Sequence, residues 1–287
     1  MWSSTGNMDA AITLGVTGWV VIWWIFEPIP IPATSLLPMA LLPMMGVLSA
    51  KELGAAYGNP LVLLMMGGFL LATALERSGA HRRIALYMVR LFGGNSSRRL
   101  VFGFMLASAF LSMWISNTST TLMLLPVALA VLEKSKDSDL AAPLLLGIAY
   151  AASIGGIATP IGTPPNLVFM GVYTEIVGAP ISFGQWMMWA LPIALVLLPI
   201  AAFWITRNMS HQGDIELPEV GAWHSRERRV FAVFVITALL WVTRTGPFGG
   251  WSTWFSVPYT NDAIVAFLAV VAPVSYTHLT LPTSDLV

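Results

Sequence analysis

The sequence predicts an all-α polytopic membrane protein, because the chain is strongly apolar, carries few charges and contains recurring stretches long enough to cross a bilayer. Hydrophobic residues make up 56% of the 287 residues and charged residues only 10%, whereas a soluble domain has about 25% charged residues. Acidic and basic residues are equal in number, so the formal net charge is zero, and nucleic acid is not an expected partner. The chain has no cysteine, which excludes disulfide scaffolds, thiolate metal sites and cysteine nucleophiles.

Successive apolar segments define the expected membrane spans. They occupy residues 10–26, 33–48, 61–75, 100–132, 141–173, 186–205 and 229–242, and the last begins at residue 263. The first segment lacks a basic n-region and is followed by further spans, so it does not read as a cleavable signal peptide. We therefore expect a multi-pass protein in direct contact with the lipid bilayer.

The basic residues indicate how the chain is oriented. All lysines and arginines except Lys51 and Arg244 lie in three loops, within residues 77–99, 134–136 and 207–229. The positive-inside rule places such loops in the cytoplasm. Because basic residues flank segment 100–132 on both sides, this segment is expected to enter and leave the membrane on the same side.

Segment 100–132 has a run of small polar residues at its middle, with the sequence Ser-Asn-Thr-Ser-Thr-Thr at 116–121. As helices, its arms at 100–115 and 122–132 would span about 24 and 17 Å, which is short of a hydrocarbon core of about 30 Å. We interpret the segment as a re-entrant helical hairpin with the polar run at its tip, near the bilayer midplane. Two short spanning helices joined by an external polar loop are the alternative.

Segment 141–173 is interrupted in a similar way. A helix over 144–156 is followed by Pro160, Gly162, Pro164 and Pro165, which prevent a continuous helix. Unwound backbone at membrane depth is tolerated only where it is buried in protein or lines a cavity. Paired interruptions of this kind indicate the binding site of a secondary transporter.

The two interruptions offer neutral ligand groups and no charged side chain. The hydroxyls and amides come from Ser112, Ser116, Asn117, Thr118, Thr163 and Asn166. Carbonyl and hydroxyl oxygens suit Na⁺, while helix N-termini and hydroxyl donors suit anions. A proton relay would need an intramembrane carboxylate or histidine, and an enzyme would need a base beside Ser116. The residues favour a cation-coupled anion carrier over an enzyme, although polar side chains of this kind also serve as packing contacts between membrane helices.

Three motifs occur at 23–30 (WWIFEPIP), 116–121 (SNTSTT) and 154–166 (IGGIATPIGTPPN). Together they resemble the divalent anion/sodium symporter family, whose members carry dicarboxylates, citrate or sulfate, and the resemblance covers roughly residues 9–273. It implies one half of an inverted-repeat elevator-type transporter that forms a homodimer when full length. A second Ser-Asn-Thr motif, expected in the other half of the family's fold, is not found in this sequence.

The resemblance also implies roles for individual residues. The expected substrate contacts are Ser116, Asn117, Thr118, Thr163 and Pro164. One Na⁺ is expected at Ser112, Ser116, Asn117 and the Gly162 carbonyl region. No cofactor is expected apart from this coupling ion.

The same resemblance implies a division of the chain into parts. The expected parts are scaffold helices at 1–99, the hairpin of the transport domain at 100–133, the broken helix and the following helix at 141–206, a cytoplasmic linker at 207–228, and the first scaffold helices of a second repeat at 229–273. Residues 274–283 resemble a translated sequencing adapter, so 274–287 are expected to be a scar. We expect the chain to be the N-terminal half of a transporter, with a start one span shorter than is usual for the family.

These observations predict a sodium-coupled symporter of divalent anions, with C4-dicarboxylates such as succinate as the expected substrates. Sulfate is the alternative substrate, because a tetrahedral dianion could use the same neutral donors. A non-transporting membrane scaffold is the alternative from a different functional class.

The orientation can be tested by cysteine labelling at Gly94 and Ser135, which precede and follow the hairpin segment. Both positions adjoin basic residues, so both introduced cysteines should react with a membrane-impermeant reagent only from the cytoplasmic side. Labelling of either one from the outside would show that segment 100–132 crosses the membrane.

Overall fold

The computed structural model describes residues 4–93, 96–135, 139–209, 221–246 and 249–277. Regular structure in these ranges is entirely α-helical, and the helices are numbered here in chain order. Their bounds are α1 Ser4–Phe26, α2 Ile31–Thr34, α3 Leu37–Met44, α4 Ala50–Tyr57, α5 Pro60–Ser78, α6 Ala80–Gly93, α7 Ser97–Ser112, α8 Asn117–Lys134, α9 Ala141–Ile157, α10 Pro164–Val177, α11 Phe183–Thr206, α12 Ser225–Val242, α13 Gly250–Trp254 and α14 Asp262–Thr277.

Several helices have the length and composition of membrane spans. Met8–Phe26 in α1, Pro60–Ser78 and Phe183–Thr206 are each long and apolar enough to cross a bilayer. Ala141–Ile157 and Asp262–Val271 are apolar but shorter. The predicted all-α architecture with several apolar, membrane-length helices is confirmed.

Some sequence predictions fall on residues outside the described ranges. These are Gly94 of the labelling test, Lys136 of the second basic loop, residues 210–220 of the expected linker and residues 278–287 of the expected scar. The backbone of residues 274–277, also assigned to the scar, continues α14.

The chain divides into two compact units between Val62 and Leu63. In the first unit, α1 packs on α2 and α3, and α3 packs on α4. The predicted span at 33–48 is interrupted, because α2 ends at Thr34 and α3 begins at Leu37. A proline in the first turn of each short helix accounts for the two separate starts, since the first turn does not need the missing N–H.

The second unit is organised around the packing of α7 on α9, with α6, α8 and α11 against this pair. Gly155 of α9 lies so close to α7 that an added Cβ would overlap the backbone of Ala109. The buried Ser108 hydroxyl of α7 donates to the Ile148 carbonyl of α9 over 2.8 Å. Gly155 therefore makes a close contact between the two helices.

An ion pair joins α6 to the start of α12. The Arg83 guanidinium donates to both carboxylate oxygens of Glu227, through Nε at 2.9 Å and Nη2 at 3.0 Å. Both side chains are largely buried, and Arg83 also donates to the Gly221 carbonyl. Bidentate, charge-assisted bonds are among the stronger polar contacts in proteins, so this one fixes the start of α12 on α6.

The α7–α9 contact can be tested with Gly155→Ala. The added methyl group must push the two helices apart, which should cost about 1–3 kcal/mol of stability and lower the midpoint of thermal unfolding in detergent. Gly18→Ala in α1 is the matched control, because no atom lies within 4 Å of the added Cβ. An equal midpoint for the two variants would refute the close contact.

Candidate functional site

The first interruption lies between α7 and α8, at residues 113–116. Ser116 is the N-cap of α8, and its hydroxyl oxygen accepts from the Ser119 backbone N–H at 3.1 Å. The arm predicted at 122–132 is longer in the structure, because α8 begins at Asn117 and includes all of the polar run except Ser116. A serine N-cap satisfies one of the free N–H groups of a first turn, and the Thr121 hydroxyl donates to the Asn117 carbonyl at 2.8 Å. The arm after the tip is therefore 18 residues long and spans about 27 Å.

The second interruption lies between α9 and α10, at residues 158–163. The break is confirmed, but it is shorter than predicted, because Pro164 and Pro165 form the first turn of α10 instead of belonging to the loop. Proline is well tolerated there, since its fixed φ is helical and its absent N–H would have no partner. Thr163 is the N-cap, and its side chain makes no capping hydrogen bond.

The two interruptions lie against each other. The Thr159 hydroxyl in the second break donates to the Met113 carbonyl in the first. An added Cβ at Gly156, at the end of α9, would lie 2.5 Å from Oδ1 of Asn117. Only a glycine at position 156 lets the Asn117 amide lie this close to α9. Sequence reasoning missed Thr159, because a single threonine in a proline-rich loop has no distinctive spacing.

Asn166 holds the second break together. Its side-chain amide donates to the carbonyls of Gly156 and Thr159, both at 2.8 Å, and the residue is buried. The Trp186 indole N–H of α11 donates to the Ile157 carbonyl at 2.9 Å. These bonds satisfy carbonyls at the end of α9 that a helix terminus leaves free. Asn166, considered from the sequence as a ligand group, has both amide hydrogens engaged within the protein.

The expected cation ligands partly converge. The Ser112 hydroxyl is fully buried and lies 2.6 Å from Oδ1 of Asn117, to which it donates. Gly162 lies against the Gly156 carbonyl, with no room for a Cβ between them. Gly156 in turn touches Asn117, so Ser112, Asn117 and Gly162 surround one small region. These groups are neutral oxygens or backbone, which is the chemistry that Na⁺ requires.

The expected substrate contacts are more exposed. Thr118 and Pro164 are exposed, and Ser116, Asn117 and Thr163 are partly exposed. Ser116 and Thr163 are the N-caps of α8 and α10, so each precedes a helix N-terminus with its partial positive charge. The structure thus places a buried oxygen pair, Ser112 and Asn117, beside a more accessible set of hydroxyls and helix starts.

The sequence profile of the citrate transporter family matches residues 21–278 of the chain. The chain belongs to this family. The match covers most of the chain, including both interruptions, and it confirms the resemblance to divalent anion/sodium symporters. Members of the citrate transporter family are transporters, in agreement with the prediction that the chain is not an enzyme.

Curated relatives agree with this assignment. The chain is 36% identical over 294 residues to a protein of Staphylococcus aureus strain bovine RF122 / ET3-1 named sodium-dependent dicarboxylate transporter SdcS, a match that covers 94% of this chain and 56% of that protein. Relatives of the same name from strains MSSA476 and MW2 are 37% identical over 289 residues, covering 92% of this chain and 55% of each relative. The chain therefore spans about half the length of these relatives.

Charged residues lie beside the site although the sequence places none within it. Glu76 and Arg77 at the end of α5 and His81 in α6 line a cavity of about 420 Å³ together with Ser119 and Thr120 of α8. Burial lowers the pKa of His81, outweighing the hydrogen bond to the Leu75 carbonyl and the nearby Glu76 charge, which raise it. The imidazole is therefore neutral at pH 7. Sequence reasoning missed this cavity because its two walls come from distant parts of the chain.

The role of Asn166 can be tested with Asn166→Asp. A carboxylate keeps the size but offers no hydrogen to the Gly156 and Thr159 carbonyls. Thr159 still accepts from the Gly162 N–H, so the loss should be about 1–3 kcal/mol of stability, for the Gly156 carbonyl. Thermal unfolding in detergent measures the loss. Val168→Ala is the control, because this side chain is exposed on the same helix. A structural role for Asn166 requires that Asn166→Asp unfold at a clearly lower temperature than the control.

Proposed function

We propose that the protein containing this chain is a sodium-coupled symporter of divalent anions, which carries C4-dicarboxylates such as succinate across the bacterial inner membrane. The observation that carries the proposal is the meeting of two broken helices at a cluster of neutral oxygens, the Ser112 hydroxyl and the Asn117 amide, 2.6 Å apart. A net-neutral site of this kind can hold a cation and an anion together, because each ion offsets the other's charge. The sodium-dependent and dicarboxylate names of the relatives support the same assignment.

The sodium ion belongs at the buried side of the cluster. Ser112 and Asn117 supply side-chain oxygens, and the Ser116 and Gly162 region adds hydroxyl and carbonyl groups at the edges of the two breaks. The Ser112 hydroxyl donates to Asn117, so its hydrogen must turn away for the hydroxyl oxygen to bind a cation.

The anion belongs at the accessible side. Ser116, Thr118 and Thr163 offer hydroxyl donors, and α8 and α10 present their N-termini, which favour negative charge. Pro164 adds an apolar surface beside Thr163. The Asn117 amide lies between the two sides, so it is suited to contact both ions through its oxygen and its nitrogen.

Coupled transport requires that the site move or open as a unit. α7 and α9 are in backbone contact at Gly155 and Ala109, and the Thr159–Met113 bond ties the breaks together. These two contacts are consistent with a transport domain that moves as one body, as in an elevator mechanism. The proposed domain includes a re-entrant hairpin at 100–133. The whole protein is proposed to contain an inverted repeat and to form a homodimer. The names of the relatives favour dicarboxylate over sulfate.

The cation and anion roles can be separated by two substitutions in a full-length protein that contains this chain. Ser112→Ala should raise the Na⁺ concentration for half-maximal succinate uptake and leave the succinate affinity at saturating Na⁺ nearly unchanged. Thr118→Ala should lower the affinity for succinate, with a smaller effect on the Na⁺ concentration for half-maximal uptake. Loss of a hydrogen bond to a charged ligand costs about 1.5–3 kcal/mol, or about 10- to 150-fold in affinity, and Asn117→Ala should impair both.

The comparison needs the second ligand in excess, because the two affinities are linked below saturation. Ser153→Ala is the matched control, since this exposed hydroxyl donates only within α9, to the Ala149 carbonyl. Identical profiles for Ser112→Ala and Thr118→Ala would rule out separate cation and anion contacts. Uptake of sulfate but not succinate by the unaltered protein would transfer the assignment to sulfate.

A further inference from the structure

The cavity beside the hairpin tip is distinct from the proposed Na⁺ and substrate site. Its lining includes the side chains of Glu76, Arg77, His81, Ser119 and Thr120, with Ile115, Leu122 and Met123 completing the wall. Ser119, Leu122 and Met123 are spaced three and four residues apart, so they share one face of α8. Asn117 and Thr121 share a different face of the same helix, so the polar run of this hairpin presents hydroxyls to two places.

The Thr120 hydroxyl has no hydrogen-bond partner in the described part of the chain, although the residue is only 1% exposed. Other threonines in helices of this chain, such as Thr121, Thr174 and Thr237, donate to the carbonyl four residues earlier. Thr120 makes no such bond. An unsatisfied buried hydroxyl costs free energy, so its position indicates that an acceptor binds there.

Arg77 supplies the positive charge of this cavity. Its guanidinium is exposed and forms no ion pair with a carboxylate among the described residues. Burial lowers the pKa of His81 and so favours its neutral form, and the formal charges of Glu76 and Arg77 in the lining are equal and opposite. An anion at Arg77 is therefore attracted over a short range without being held tightly, which suits a site that a substrate passes through.

The size and position of the cavity fit the transported anion. A volume of about 420 Å³ falls within the range of small-molecule sites, about 300–1,000 Å³. The cavity joins the hairpin tip to the end of α5, and the following helix α6 carries the basic residues Arg82, Arg83 and Arg90. The positive-inside rule assigns this end of α5 to the cytoplasm.

We propose that this cavity is a second, transient dicarboxylate site on the cytoplasmic side, in which Arg77 and the Ser119 and Thr120 hydroxyls hold the substrate as it leaves or approaches the hairpin tip. The proposal rests on the proposed transport function. It assigns a role to the second half of the Ser-Asn-Thr-Ser-Thr-Thr run, which the Na⁺ and substrate site does not use. It also implies that the lining of this cavity affects the affinity for substrate at the cytoplasmic face and not at the external face.

The test measures succinate transport by the full-length protein in inside-out and right-side-out membrane vesicles at saturating Na⁺. In Arg77→Gln, the succinate concentration for half-maximal transport from the cytoplasmic face should rise about three- to tenfold. The value from the external face should remain within about twofold, because the hairpin-tip site is intact. Thr120→Val should give the same one-sided change, and Ser119→Ala serves as a second hydroxyl variant if Thr120→Val does not fold.

Arg82→Gln is the matched control, because Arg82 is exposed on α6 and does not line the cavity. The proposal would be overturned if Arg77→Gln and Arg82→Gln had the same affinity for succinate at the cytoplasmic face. It would also be overturned if Arg77→Gln changed the affinity for succinate equally at both faces. In either case the unaltered protein would still carry succinate, so the proposed function would stand. An unaltered full-length protein that carries no succinate from either face would instead overturn the proposed function itself.

Discussion

The contact between the two helix breaks is the constraint on which the rest of the site depends. Helix ends leave polar backbone groups that an apolar environment penalises, and here each break satisfies part of the other. Thr159 donates to Met113 across the gap, and Asn166 and Trp186 donate to carbonyls of the second break and the end of α9. The missing Cβ atoms at Gly155 and Gly156 allow α7 and the Asn117 amide to approach α9. Without these glycines the polar side chains would not meet.

Much of this arrangement could be predicted from the sequence, because the signals were local. Prolines and glycine within 160–165 identified the second break, and small polar residues at 116–121 identified the first. The boundaries were less accurate, since Ser116 caps a helix that includes most of the polar run, and Pro164 starts α10. A residue type that disfavours the middle of a helix often favours its first turn. The sequence alone does not say whether such a residue lies in the break or begins the next helix.

Other features could not be predicted because they depend on tertiary packing. Thr159 and Gly156 contribute through contacts with residues 39 or more positions away, which no local pattern records. Arg77 was assigned to a basic loop, yet Arg77 and its neighbour Glu76 share a cavity with the hairpin tip. Asn166 fits a ligand role by residue type, but its two amide hydrogens are already donated. The fold was therefore needed to tell which polar and charged residues could bind a ligand and which have a structural role.

The ion pair of Arg83 and Glu227 has a mechanical consequence. α6 carries Arg83 at one end and touches α7 closely near its other end, where an added Cβ at Gly103 would lie 2.9 Å from the Gly93 Cα. Because α6 is one continuous helix, a displacement of α7 would be passed along it to the start of α12, which is attached at its other end. Breaking the attachment would strand a largely buried carboxylate without its guanidinium, which is strongly unfavourable. If the α7–α9 pair moves during transport, as proposed, the Arg83–Glu227 ion pair must move with it, or the chain beyond the first turn of α12 must bend.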